Sequence, residues 1–282
     1  MADEGVMGGD GVIDNPAAGD GVAGSGVAGE RFERVEVDGR SIAARVRDGA
    51  APALMWCGGF RSDMLGSKAE AMSALAGERG LACVRFDYSG HGESGGLFKD
   101  GTISCWTAEA MAVRDRFAPG PLVIVGSSMG AWIALRMALT MAERGERPHA
   151  LVLIAPAPDF TADLLEPDLT AEQRAALERD GYFEEASAYS SEPTLYTRAL
   201  IEDGRANLVL RDRLRVGAPV HILQGTDDPD VPVAHAERVA TALVEDDVLF
   251  TLVPGGDHRL SRDEDLALLR RTLAAAVETP AA

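Results

Sequence analysis

Positive charge is scarce in this chain: 27 Lys and Arg stand against 45 Asp and Glu, for a formal net charge of −18. Proteins grip nucleic acid through Lys and Arg on its phosphates, so this balance argues against a nucleic-acid partner. It equally disfavours docking on an anionic membrane surface and is the kind of excess that serves solubility. No run of about 18 apolar residues occurs, so no membrane-spanning helix is expected. Cysteine is sparse too. Cys57, Cys83 and Cys105 cannot all pair within one chain, and none has the close spacing of a metal or redox motif. Cys57 and Cys83 fall in apolar runs, where a thiol behaves as a small hydrophobe, and the usage fits a reducing compartment. The first thirty residues hold Asp3, Glu4, Asp10, Asp14, Asp20 and Glu30 and no Lys or Arg. Neither a secretory signal nor a mitochondrial transit peptide is built that way, so a cytoplasmic location is expected.

What is present is enough apolar residue, 46% of 282, for a sizeable core. Residues 1–30, rich in Gly, Ala and Asp without period, read as a disordered acidic tail. One domain is expected over residues 31–277. It begins with an antiparallel hairpin, Phe32–Val37 and Ser41–Val46 about the turn Asp38-Gly39. Near-continuous apolar runs follow at 53–57, 81–86, 122–125, 150–154, 220–223 and 248–253. Helical patterns separate most of them, at about 63–79, 104–118, 129–144, 232–244 and 261–277. Continuous apolar runs suit strands covered on both faces, and strand–helix alternation gives a mostly parallel sheet with helices on both sides, an α/β architecture. One interval breaks the rhythm. Residues 157–217 carry Pro158, Pro167 and Pro193 and short helical patterns, and are expected to form a cap insertion. Thr170-x-x-Gln173 predicts a capping box for a helix through Glu178. Tyr182, Tyr189 and Tyr196, with Phe160, Phe183, Leu164 and Leu200, either roof a pocket or form the cap's own core.

The chemistry centres on Gly126-Ser127-Ser128-Met129-Gly130. As a bare pattern G-x-S-x-G is weak, but here it follows an apolar strand and opens a helix, the strand–turn–helix setting that exposes a nucleophilic serine. The spacing selects Ser128, with Ser127 its neighbour. A serine hydroxyl needs a base to take its proton, and in this arrangement the acid and then the histidine follow in the chain. Among five histidines, His258 lies just after the last apolar run, where the base belongs. His149 precedes its strand, at the wrong end, His91 precedes no expected triad position, and His221 and His235 read as structural. For the acid, Asp227, Asp228 and Asp230 compete in one turn; Asp228 is assigned and Asp227 stands second. The oxyanion needs two fixed donors: the Met129 N–H, and the Phe60 N–H from the glycine loop 57–61. Arg61 and Arg259, flanking that loop and the base, are candidate substrate-binding residues for a carboxylate or phosphate.

Taken together these motifs resemble the α/β-hydrolase superfamily. Asp87-Tyr88-Ser89-Gly90-His91-Gly92-Glu93-Ser94 is similar to its D-x-x-G-x-G-x-S segment, and Gly225-x-x-Asp228-x-x-Val231-Pro232 to its acid segment. The stretches Gly59–Ala69, Arg85–Gly90 and Val125–Trp132 look like the abhydrolase-domain palmitoyl-protein thioesterases and acyl-glucuronide esterases. The chain departs from the wider superfamily in having Gly58 where a histidine is frequent, and from that closer group in its acidic first thirty residues. The resemblance implies a serine hydrolase that cleaves a carboxylic ester or thioester of a small-molecule or acylated substrate, without cofactor or metal. A peptidase or a cofactor-free haloperoxidase would use the same triad, and a non-catalytic ligand sensor could share the scaffold. Acyl group, leaving group and oligomeric state stay open.

Overall fold

A computed structural model of the chain describes residues 29–187 and 193–279. The expected tail falls almost wholly outside the described residues, with one correction at its end. Glu30, assigned to the tail, is buried against Arg85 at 2.6 Å and accepts a hydrogen bond from Ser73. The reason is Arg85, a fully buried guanidinium within a strand, which needs a carboxylate partner.

The chain opens with β1 (Arg31–Val37) and β2 (Arg40–Arg47), an antiparallel hairpin. Both turn residues, Asp38 and Gly39, have positive φ, 48° and 77°, the type I′ geometry that matches strand twist. Strands β3 (Ala50–Cys57), β4 (Leu81–Phe86), β5 (Leu122–Ser127) and β6 (Ala150–Ile154) follow. A small antiparallel pair, β7 (Tyr182–Glu185) and β8 (Thr194–Thr197), lies in the insertion. Strands β9 (Val220–Gly225) and β10 (Val248–Val253) complete the main sheet. Its order is β1-β2-β4-β3-β5-β6-β9-β10, antiparallel at the hairpin end and parallel from β4 onward.

The helices are α1 (Ser67–Arg79), α2 (Ile103–Phe117), α3 (Met129–Glu143), α4 (Ala171–Arg179), α5 (Arg198–Ala206), α6 (Val233–Ala242) and α7 (Asp263–Glu278). Strand β5 shows why the apolar runs are unbroken. Leu122 and Ile124 point into the core formed with α2 and α3, whereas Val123 and Val125 point into the core formed with α1 and α7. Every position of a strand covered on both faces is therefore interior. The helix expected from about residue 63 begins at Ser67 instead. The Asp63 carboxylate accepts its own turn's Leu65 N–H at 2.8 Å, and Asp87 takes the Met64 N–H at 2.7 Å. Side-chain acceptors thus divert this backbone from helix.

Between β6 and β9 the chain leaves the sheet. The capping box forms as expected: Gln173 N–H donates to Thr170 Oγ1 at 3.2 Å and Thr170 N–H to Gln173 Oε1 at 2.8 Å. The two ends of the insertion are tied by Asp159, a fully buried residue whose two carboxylate oxygens accept the N–H groups of Val209 (2.8 Å) and Leu210 (2.9 Å).

Candidate active site

The turn between β5 and α3 leaves no room for side chains. A Cβ on Gly126 would lie 2.4 Å from the Gly130 carbonyl oxygen, and one on Gly130 would lie 2.0 Å from that of Cys57. Strand and helix can therefore meet only through glycine. Between them Ser128 takes φ 56° and ψ −121°, a conformation disfavoured for an L-residue. The surroundings hold it there. Ser128 N–H donates to Ile154 O at 2.9 Å, and its carbonyl accepts from Ala131 (2.9 Å) and Ala157 (3.2 Å). The hydroxyl is thereby lifted out of the turn at the start of α3, whose N-terminal dipole favours negative charge.

Two loops from the far end of the sheet converge on it. The one after β10 carries His258, whose Nε2 lies 3.0 Å from Ser128 Oγ. The one after β9 carries Asp228, whose Oδ2 lies 2.9 Å from His258 Nδ1. A carboxylate only accepts, so Nδ1 holds the ring proton and Nε2 presents its lone pair to the serine. The Asp228 side chain is fully buried. Burial alone would raise its pKa, but the bond to His258 and the N–H groups of Val231 and Asp230 outweigh that and hold it below the ordinary carboxylate value. Asp227 is exposed; its backbone N–H bonds Gly256 O and its carboxylate accepts from Thr226. Of the two competing acids, Asp228 is the one in contact with His258.

Met129 is the first residue of α3, so its N–H has no partner within the helix. The Phe60 N–H has no hydrogen-bond partner among the described residues. Its loop abuts the serine: a Cβ on Gly59 would lie 3.4 Å from Ser128 Cβ. The Phe60 ring sits among Phe98, Trp106, Phe160 and Tyr196, with centroids 5.0–6.1 Å away, and Tyr196 also stacks on Phe183 at 5.2 Å. Phe160, Phe183 and Tyr196 of the insertion thus pack with one another or against the loop beside Ser128, whereas Tyr182 is exposed; Tyr189 lies outside the described residues. Arg61 lies with its guanidinium over the Phe98 ring and donates through Nη1 to Pro193 O at 2.8 Å, linking that loop to the insertion. Arg259 has an exposed side chain, and its carbonyl accepts from Lys68 Nζ.

Three contacts beside the site were not expected from sequence. Gln224 is fully buried and donates to Asp228 Oδ2 at 3.1 Å; a lone amide ending an apolar strand was its only sequence signal. Lys68, on α1, reaches under the histidine loop. Burial lowers its pKa to about 8, with Arg259 adding repulsion and Asp257, Asp228 and Asp265 opposing. His91 is buried, and its Nε2 accepts a hydrogen bond from the Arg61 N–H at 3.2 Å. The remaining histidines bond carbonyls or stay in strands: His149 to Val277 O, His235 to Pro158 O, and His221 within β9. Asp228, Asp230 and His258 place ligand-type atoms within 4.8 Å of one another and could hold a cation, although two of them already form the chain to Ser128. Among the described residues no helix is long and apolar enough to cross a membrane.

Comparison with known proteins places this geometry in context. Residues 48–270 match the model of the "Alpha/beta hydrolase family". The human protein "Palmitoyl-protein thioesterase ABHD10, mitochondrial" is 31% identical over 234 residues, 83% of this chain and 75% of its own. A provisionally assigned hydrolase from Agrobacterium vitis S4 has a crystal structure that superposes with a TM-score of 0.86 at 51% identity, over 88% of this chain and 99% of that one. The mouse alpha/beta hydrolase domain-containing protein 10 gives 0.79 at 29% identity, over 88% and 98%. The human relative is described as mitochondrial, unlike the cytoplasmic location expected from the acid-rich first residues. With its mostly parallel sheet, antiparallel hairpin and flanking helices, the chain belongs to the alpha/beta hydrolase family.

Proposed function

We propose that this protein is a serine hydrolase that cleaves a carboxylic ester or thioester through an acyl-enzyme. Ser128 attacks the substrate carbonyl while His258 Nε2 takes its proton. Asp228 keeps the imidazole proton on Nδ1 and stabilises the imidazolium that forms. The Met129 and Phe60 N–H groups receive the oxyanion as the carbonyl becomes tetrahedral. His258 returns the proton to the leaving alkoxide or thiolate. Water, deprotonated by the same ring, then releases the acid and restores the serine.

The observation that carries the reading is the unbroken chain Ser128 Oγ, His258, Asp228 at 3.0 and 2.9 Å, drawn from three loops at one end of the parallel strands. The similarity to the human palmitoyl-protein thioesterase supports an acyl thioester as the substrate class. Arg61, at the junction of the oxyanion loop and the insertion, and Arg259, beside the base, would favour an anionic substrate. Labelling by a fluorophosphonate tests the nucleophile, with turnover of a p-nitrophenyl ester as the companion assay. Ser128→Ala should abolish labelling and lower kcat by about 10⁴-fold or more. Labelling and turnover that survive this substitution would remove the reading.

A further inference from the structure

The loop that carries Phe60 is a β-turn. Ser62 N–H donates to Gly59 O at 3.1 Å, which puts Phe60 and Arg61 at its two central positions. Arg61 has φ 58°, whereas Phe60 is not among the positive-φ residues. A positive φ at the second central position alone defines a type II turn, where glycine is strongly preferred. An arginine there is sterically disfavoured, because its Cβ crowds the following carbonyl oxygen. Compared with a type I turn, the central peptide is flipped, and its N–H, that of Arg61, must find an acceptor on the inner side.

His91 is that acceptor. Its Nε2 lies 3.2 Å from Arg61 N. Its Nδ1 lies 3.1 Å from Ser89 O; a carbonyl cannot donate, so the proton is on Nδ1 and the Nε2 lone pair is free for Arg61 N–H. The ring is 4% exposed and stands edge-on to Tyr88, Phe98 and Trp106 at 5.1–5.7 Å. Trp106 Nε1–H shares the Ser89 carbonyl at 3.2 Å, which fixes the acceptor's place. Burial pushes the His91 pKa down to about 4; the Ser89 carbonyl and Glu109 pull it up and Arg61 presses it down, so the lone pair is available through the neutral range.

Given the serine-hydrolase reading on which this rests, we infer that His91 is a positioning residue for the oxyanion hole. It holds the Gly59–Ser62 turn in its flipped form through the Arg61 N–H and so aims the neighbouring Phe60 N–H at the reacting carbonyl. It touches neither substrate nor triad. Without the acceptor the Arg61 peptide loses its reason to stay flipped, because its own side chain prefers negative φ. The turn that carries the Phe60 donor is then no longer held in one form and the donor loses its fixed aim, while the Met129 donor and the triad are untouched.

The test compares His91→Leu, which removes the acceptor, with His91→Gln, whose amide oxygen can reach the Arg61 N–H. Wild type is first labelled at Ser128 with a fluorophosphonate. Removal of one whole oxyanion donor costs about 10²–10³ in kcat, so a misaimed one should cost about 10–100-fold. His91→Leu is expected to lose kcat by that factor with KM within about twofold, and His91→Gln to recover most of it. Should His91→Leu fail to fold, His91→Phe, which keeps the ring stack without the acceptor, takes its place. Full kcat in the Leu or Phe variant, or equal losses with Gln, would overturn the inference while leaving the triad reading intact. A wild type that neither labels nor turns over ester removes both.

Discussion

Replacing Asp228 with asparagine changes one oxygen into an NH2 group, and the structure dictates which one. Oδ1 accepts the backbone N–H groups of Asp230 (2.9 Å) and Val231 (2.8 Å), so that place must remain an oxygen. The new NH2 therefore falls where Oδ2 was, facing His258 Nδ1 and the Gln224 amide. His258 can satisfy it only by presenting an unprotonated Nδ1, which moves the ring proton to Nε2, toward Ser128. In the proposed mechanism that ring can no longer take the serine proton. A triad histidine held in the wrong tautomer lowers kcat by about 10⁴-fold, which is about 5.5 kcal/mol of barrier. KM should change little, because no substrate contact is lost. Asp227→Asn, at an exposed carboxylate directed to Thr226, should keep kcat within about threefold, since surface substitutions usually stay within about 0.5 kcal/mol. Steady-state hydrolysis of a p-nitrophenyl ester by both variants, with circular dichroism to show that each is folded, makes the measurement. If Asp228→Asn kept kcat within tenfold of wild type, or Asp227→Asn fell as far, the tautomer reasoning would be wrong.

Gly130→Ala should be destabilising, because its Cβ would lie 2.0 Å from Cys57 O and 2.5 Å from Gly58 O, both backbone atoms that cannot step aside. At about 1–3 kcal/mol for overpacking, the melting temperature should fall by about 2 °C or more; an unchanged melt refutes the clash. Arg61→Ala should lower kcat/KM for anionic esters relative to neutral ones by up to about fivefold, the limit for an exposed charge pair, and equal effects on both would end its role in selecting charge. Stability should also fall as pH rises. Burial pushes the Cys57 and Cys83 thiols up to about 12, whereas unfolded thiols ionise near 8.5. The folded state then binds more protons between those values, which costs about 1.4 kcal/mol per thiol at pH 9.5. Lys68, lowered to about 8 from an unfolded value near 10.4, acts with the opposite sign and regains about 1.8 kcal/mol between pH 7.5 and 9.5, more than one thiol loses but less than the two together. The urea midpoint of the wild type should therefore drop between pH 7.5 and 9.5, and Cys83→Ala should remove most or all of that drop; a rise in the wild type would contradict this account.

Much of the architecture was legible because its signals are local. An apolar run followed by Gly-x-Ser-x-Gly and a helical pattern can fold only as strand, sharp turn and helix, so Ser128 could be read from five consecutive residues. The position of His258 followed from chain order, and the parallel sheet from runs whose every residue must be covered. Tertiary structure alone decided matters that depend on where a side chain points. Asp227 and Asp228 are adjacent and chemically identical; only the direction of the turn after β9 puts Asp228 against a ring 30 residues away. Nothing local separates Glu30 from the tail, because its partner Arg85 lies 55 residues on. His91, Lys68 and Gln224 carried no visible role because each is defined by a hydrogen bond that only the fold makes: His91 Nε2 accepts from the Arg61 N–H, Lys68 donates to Arg259 O, and Gln224 donates to Asp228 Oδ2. Sequence sets the period and the turns through short-range sterics and hydrophobicity; a hydrogen bond between remote residues exists only once packing has fixed both of its ends.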